Sequence, residues 1–295
     1  MGLPAFRLHS PKSVEEACRI LADRGEEAVP IAGGTAVLIL MKSGLAAPPH
    51  LVSLWGLRDL AQIRFDPKEG LRIGALCTHR AVEKHPAVRE VYPMLADTYR
   101  RVANVRVRNR ATVGGNLAHG DYRLDPPAPL IALGARLRLR GPEGEREVPL
   151  ADFFQGFYTV DKRPGEILTE VRVPPPPPGA RGMYLKFVGH AAADWPILGV
   201  AGLLRASRSG EVEDLRVVLS CVAATPVRVS GVDELAVGRP LTPERIEAVA
   251  ERAAAEADPI EDARGSAWYK REIIRVQVRR VLERLADPNA HGVAE

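Results

Sequence analysis

Five consecutive prolines, Pro174 to Pro178, divide this chain more firmly than any other feature. A proline run offers no backbone N–H, so no sheet ladder or helix passes through it, and it takes a stiff extended form. The residues on either side must close their own hydrogen-bond ladders. A length of 295 residues leaves room for about two domains. The boundary is placed in the run, giving a first domain over 1–176 and a smaller one over 177–290.

Ahead of the prolines, Ser13-Val14-Glu15-Glu16 is a capping box in which Glu16 reaches back to Ser13. Val14, Ala17, Leu21 and Ala22 continue as an apolar stripe to a stop at Gly25. Val29–Ala32 predicts a buried strand, followed by a helix over Ala36–Met41 that Thr35 caps and Gly44 ends. Leu71–Ala75 alternates as a strand, and Thr78 caps the helix after it. Arg136–Arg140 and Arg146–Leu150 flank a Gly-Pro-Glu-Gly turn and predict a solvated hairpin. Ile167–Val173 is a strand that the prolines terminate. Beyond them, Met183–Val188, Ile197–Ala206 and Val212–Ala223 predict three strands. Thr242-Pro243-Glu244 then opens a helix with the stripe Ile246, Val249, Ala250, Ala253 and Ala257. A last helix aligns Ile274, Val278, Val281 and Leu285. The Trp195-Pro196 corner is expected in the core. Arg106, Arg108 and Arg110 share a face if extended, for structural or subunit contact.

Two glycine pairs carry the functional signal: Ile31-Ala32-Gly33-Gly34-Thr35 and Thr112-Val113-Gly114-Gly115-Asn116. Adjacent glycines admit positive φ and bring bare N–H groups against a ligand, and successive N–H groups make an anion-binding concavity. Two such cradles can grip a diphosphate between them. Micromolar retention of a cofactor takes about 8 kcal/mol, and each charge-assisted hydrogen bond contributes roughly 1.5–3 kcal/mol. One short loop falls near or below that mark after ordering costs, and two loops with a buried ring and adenine pass it. Neither pair matches G-x-G-x-x-G or G-x-x-x-x-G-K-[ST], which removes Rossmann and P-loop nucleotide binding.

Other classes fall away on composition. A net charge of +4, without aromatic platforms among the arginines, excludes nucleic acid. Cys18, Cys77 and Cys221 are far apart and make no cluster-ligand set, and the seven histidines are dispersed, so no metal site is expected. No apolar run approaches a membrane span, and the start lacks a signal-peptide layout, so a cytoplasmic chain is expected.

The stretch from Arg108 through Ala111-Thr112-Val113-Gly114-Gly115-Asn116-Leu117 to His119 resembles the R-N-x-A-T-[IV]-G-G-N-L signature of the molybdenum hydroxylase flavoprotein subunits. These are the FAD-carrying medium subunits of xanthine dehydrogenase, carbon monoxide dehydrogenase and 4-hydroxybenzoyl-CoA reductase type. Ile31–Thr35 is similar to their A-G-G-[TH]-[DS]-L loop, and Ile73–Thr78 to I-G-A-x-x-T. Asp152-Phe153-Phe154-Gln155-Gly156 and Gly165-Glu166-Ile167-Leu168 are similar to D-F-F-x-G and P-G-E-I-[LV], and Ser266–Arg271 to S-A-x-Y-[RK]-R. The resemblance spans nearly the whole chain.

It implies an α+β fold. A two-lobed FAD-binding domain of the PCMH/vanillyl-alcohol-oxidase-like type, with lobes of about 1–55 and 56–176, precedes a C-terminal domain of antiparallel sheet and helices. It implies FAD contacts at Ile31, Ala32, Gly33, Gly34, Thr35, Ala36, Thr78, Ala103, Thr112, Gly114, Gly115, Asn116, Asp121, Asp125, Ile167, Leu168 and Lys186. The implied partners are a molybdenum-cofactor large subunit and a [2Fe–2S] small subunit in a dimer of heterotrimers, with FAD passing electrons to an external acceptor. Lys186 would place positive charge near the ring and Tyr122 would gate acceptor entry. Departures are Ala36, where Asp is frequent, Gly120-Asp121-Tyr122 in place of Ala-Asp-Pro, and Val188-Gly189-His190 in a region often rich in arginine. The alternatives are a stand-alone FAD oxidoreductase and an assembly subunit without flavin.

Overall fold

The structure is a computed structural model that describes residues 2–287. Residues 288–290, the end of the expected second domain, lie outside the described residues.

Three parallel strands, Arg7–His9, Ala28–Ile31 and His50–Ser53, open the fold, with the last of them in the middle. Helix Val14–Arg24 crosses between the first two. Its cap is as expected at Ser13, whose Oγ accepts from the Glu16 N–H at 3.1 Å, and Gly25 ends it at φ 53°. The return arm of the box differs: the Glu16 carboxylate takes the Lys12 N–H at 2.6 Å rather than that of Ser13. The second short helix also starts later than expected, at Val37. Gly34 turns the chain at φ 74°, so Thr35 and Ala36 are spent in the turn and Ala36 becomes an N-cap with no side-chain bond.

A five-stranded sheet follows, in the order Ile63–Asp66, Gly70–Gly74, Ile167–Val173, Arg136–Gly141, Gly144–Pro149, every pair antiparallel. Its inner face carries Leu71, Ile73, Val171, Val173, Leu137 and Leu139, all fully buried. The hairpin expected to be solvated is therefore wet on one face only, the one bearing Arg136, Arg138 and Arg140. Between the second and third strands in chain order, helices His79–Lys84, Pro93–Arg101, Val113–His119 and Pro127–Ala132 complete the core. The arginine row is not extended. Val105–Arg108 is a helical turn capped by Asn104, whose Oδ1 accepts from the Arg106 and Val107 N–H groups.

After the prolines, strands Arg181–Phe187, Leu198–Ala206, Val212–Ser220 and Val227–Arg228 pair antiparallel in chain order. Helices Pro243–Glu256 and Ala267–Ala286 cover one face, through Ile246, Val249, Ile274, Val278 and Val281 against Val200, Leu204, Val217 and Leu219. The other face, with Tyr184, Ala201, Leu203 and Val218, joins the core of the five-stranded sheet. A sheet buried on both sides explains the unbroken apolar run of Leu198–Leu204. The Thr242 side chain caps no backbone N–H of its helix and bonds the Glu244 side chain instead, with proline in the first turn. Trp195 is not in the core: it is 51% exposed, carried out on the tight turn Ala191–Asp194.

Candidate functional site

The two glycine segments meet. A Cβ on Gly33 would lie 2.0 Å from the Arg110 carbonyl oxygen, so backbone packs directly on backbone at that point. A Cβ on Gly115 would lie 3.9 Å from the Ala32 methyl, on the same junction. Gly114 is there for a third approach, since its Cβ would sit 2.5 Å from that of Ala75. Thr78 and Thr112 form a β-bridge, the His79 N–H donates to the Ala111 carbonyl at 3.0 Å, and the Val113 N–H donates to that of Cys77 at 2.9 Å. These bonds fasten the second segment to the turn Ala75–His79.

Their donors are unequal, which corrects the picture of two matched cradles. In the first segment only Gly34 has positive φ, and among the described residues the N–H groups of Gly33, Gly34 and Thr35 have no acceptor. The second segment is instead the start of helix Val113–His119, with Thr112 as its N-cap and no positive φ at either glycine. Its Gly114 N–H is spent on the Ala75 carbonyl at 2.8 Å, and its Gly115 N–H on Thr112 Oγ at 3.1 Å. What this segment leaves open is Asn116 Oδ1, a buried acceptor with no partner among the described residues.

A second group of expected residues gathers at the seam with the C-terminal sheet. Lys186 Nζ lies 3.0 Å from Asp125 Oδ2, and the two side chains are only 4% and 5% exposed. Tyr184 donates to the other Asp125 oxygen at 2.8 Å, and Lys186 also donates to the Arg101 carbonyl at 3.0 Å, close to Ala103, which is held at φ 42°. Burial pushes the Asp125 carboxyl above its usual range, against the pull of the Lys186 ammonium. Asp121 is gripped by both arms of Arg123 at 2.9 Å and by the Tyr158 hydroxyl at 3.3 Å. Burial works to raise the Asp121 carboxyl, but the guanidinium holds it below its usual range. Ile167 and Leu168 are covered core side chains, the first in a cluster that Ala32 packs against. Only their backbone atoms can reach a ligand.

Comparison with known proteins decides the family. Residues 4–176 match the FAD binding domain in molybdopterin dehydrogenase, and residues 183–285 the CO dehydrogenase flavoprotein C-terminal domain. The chain belongs to the FAD-binding medium-subunit family of carbon monoxide and xanthine dehydrogenases. It is 37% identical to the carbon monoxide dehydrogenase medium chain of Hydrogenophaga pseudoflava over 95% of this chain and 96% of that one. It is 33% identical to the nicotine 6-hydroxylase medium subunit of Paenarthrobacter nicotinovorans, over 96% and 98%. A solved carbon monoxide dehydrogenase from Hydrogenophaga pseudoflava superposes with a TM-score of 0.92 at 36% identity, covering 96% of this chain and 98% of that one.

The cofactor of this flavoprotein family is FAD, and the residues present suit it. A diphosphate needs several unengaged donors at close backbone approach, as at Gly33, Gly34 and Thr35. The orphaned Asn116 Oδ1 needs a hydroxyl or N–H, and a buried acceptor without one costs roughly 1–3 kcal/mol. Arg123 and Tyr158 were not foreseen. Arg123 could have been read from its place two residues after Asp121, whereas nothing local marks Tyr158, which arrives from a distant hairpin. His79 was also missed. Its ring and the Tyr99 hydroxyl are fully buried without hydrogen-bond partners among the described residues, the rings are 5.1 Å apart, and burial drives the imidazole down to about 3.

Proposed function

We propose that this flavoprotein subunit seats FAD at the junction of its two glycine segments, with partner subunits that carry molybdenum cofactor and [2Fe–2S] clusters. When bound, the flavin supplies redox chemistry that couples those clusters to an external acceptor. The chain's own task is to bind and orient. Gly33, Gly34 and Thr35 donate N–H groups to the diphosphate, Asn116 Oδ1 accepts from a hydroxyl of the cofactor, and Gly115 leaves room for close approach. The Asp125–Lys186 pair, with Asp121 and Ala103 beside it, fixes the seam against the C-terminal sheet. No side chain has to act as a general base.

The observation that carries this reading is the contact of Gly33 with Arg110, which joins open donors to an unpartnered acceptor from segments about eighty positions apart. Among the described residues no helix is long and apolar enough to cross a membrane. The proposal extends to a cytoplasmic dimer of heterotrimers in which substrate choice rests on another polypeptide. The test is to purify the chain alone and with its partner subunits. Flavin absorbance is expected in both, dye reduction by NADH or another donor in the first, and substrate oxidation only in the second. A colourless chain that takes up no added FAD would overturn the reading.

A further inference from the structure

The glycine loop Ala32–Ala36 leaves the carboxyl end of strand Ala28–Ile31, and Trp55 leaves the carboxyl end of the adjacent parallel strand His50–Ser53. The Leu54 N–H donates to the Ile31 carbonyl at 2.9 Å, so these two exits stay side by side. In open parallel sheets, ligands settle in the crevice outside such carboxyl ends. Arg110 brings a cation to this crevice. Its carbonyl is the atom that Gly33 packs upon, and its guanidinium carbon lies 4.5 Å from the centre of the Trp55 ring. A second guanidinium, that of Arg58, lies 6.0 Å from the same ring. Among the described residues neither arginine has a carboxylate partner. Their neighbours differ: Arg108 is paired with Glu83, and Arg100 and Arg101 with Asp97.

Two like charges held on one indole without an acidic partner favour an anion nearby. Among the described residues, the two glycine segments themselves bring no charged side chain to a diphosphate. Helix Val113–His119 has spent its first amides on Ala75, Cys77 and Thr112, and Ala36 brings no polar side chain. Neutral amides of the Gly33–Thr35 loop would then face a doubly charged group.

We propose that Arg110, positioned by stacking on Trp55, supplies the counter-charge to the FAD diphosphate at the Gly33–Thr35 loop, with Arg58 as a weaker second cation. Stacking fixes the plane of the guanidinium while leaving its N–H edge free, the arrangement in which arginine binds phosphate in two places at once. The proposal rests on FAD binding at this junction, and the experiment separates the two.

Apoprotein of the full chain is titrated with FAD at low (about 10 mM) and high (about 0.5 M) ionic strength, and flavin fluorescence is read. Arg110→Gln is expected to weaken FAD about tenfold or more at low salt, with the gap to wild type narrowing at high salt. Arg110→Lys should recover part of the loss, and Arg58→Gln should cost less than Arg110→Gln. Urea midpoints of the variants should match wild type. A loss that is the same at both salt concentrations, or Arg110→Gln within twofold of wild type at low salt, would overturn the role of Arg110 while leaving the FAD site in place. Wild-type apoprotein that binds no FAD at either salt would overturn both.

Discussion

Replacing Gly33 with alanine tests the junction most directly. The added methyl carbon would stand 2.0 Å from the Arg110 oxygen and 2.7 Å from its carbonyl carbon, both backbone atoms that no rotamer change can move. Ordinary contact begins near 3.4 Å, so the two segments must part by about 1.4 Å. Forced overpacking of this kind costs roughly 1–3 kcal/mol, which corresponds to about a 5- to 140-fold change in an equilibrium constant. If the strain is relieved by opening the junction, the loss appears in FAD affinity. If the whole first sheet shifts instead, it appears in stability. FAD titration of the apoprotein and urea denaturation therefore belong in one experiment. Gly56→Ala is the control: its nearest neighbour is the Pro11 oxygen at 3.9 Å, and neither quantity should change. A Gly33→Ala protein that binds FAD within twofold of wild type, at an unchanged urea midpoint, would refute the packing of these segments on each other.

Three further outcomes are expected. Gly115→Ala should leave the urea midpoint nearly unchanged, because about 1 kcal/mol of helix propensity offsets about 1 kcal/mol from crowding the Thr112 cap, 2.8 Å from the new methyl. FAD affinity should still fall, and unchanged affinity would remove Gly115 from the cofactor's path. His79→Phe should flatten the acid limb of stability. The folded imidazole is depressed to about 3 by burial, while the unfolded chain takes up its proton near 6.5, so wild type loses stability as pH falls below about 6.5. The loss reaches about 2 kcal/mol by pH 5, and equal urea–pH curves for variant and wild type would contradict the assignment. Asp125→Asn should cost about 3–5 kcal/mol by stranding the buried Lys186 ammonium. Asp125→Asn combined with Lys186→Met should recover much of that in the same urea assay, and a strictly additive double variant would deny the pairing.

The order of elements was legible because periodicity and breakers act locally. Ile167–Val173 ended at the prolines as expected, Thr78 caps the helix it precedes, and the stripe Ile274, Val278, Val281, Leu285 is the buried face of the last helix. Where local reading went astray, a competing partner had intervened. Gly34 took Thr35 into its turn, Asn104 folded the arginine row into a helix, and Arg123 held Trp195 at the surface by stacking at 4.9 Å. The hairpin Arg136–Pro149 looked solvated because its arginines alternate with leucines whose cover comes from helices elsewhere in the chain.

The site was legible in its parts and not in its division of labour. Two glycine pairs look alike in sequence because glycine records only that a Cβ is unwelcome, for either of two reasons. At Gly34 the reason is conformational, a left-handed turn that leaves its neighbours' amides unspent. At Gly33 and Gly114 it is steric, the approach of a backbone from a distant segment. The first kind is written in the local chain, whereas the second depends on what arrives from far away. Thr112 could have separated the cases, since a threonine three residues before Gly115 is placed to cap a helix and so to consume its amide. Once that amide is spent, the second segment has Asn116 to offer a ligand, and the charge of a diphosphate falls to Arg110, two residues before Thr112 and stacked on Trp55.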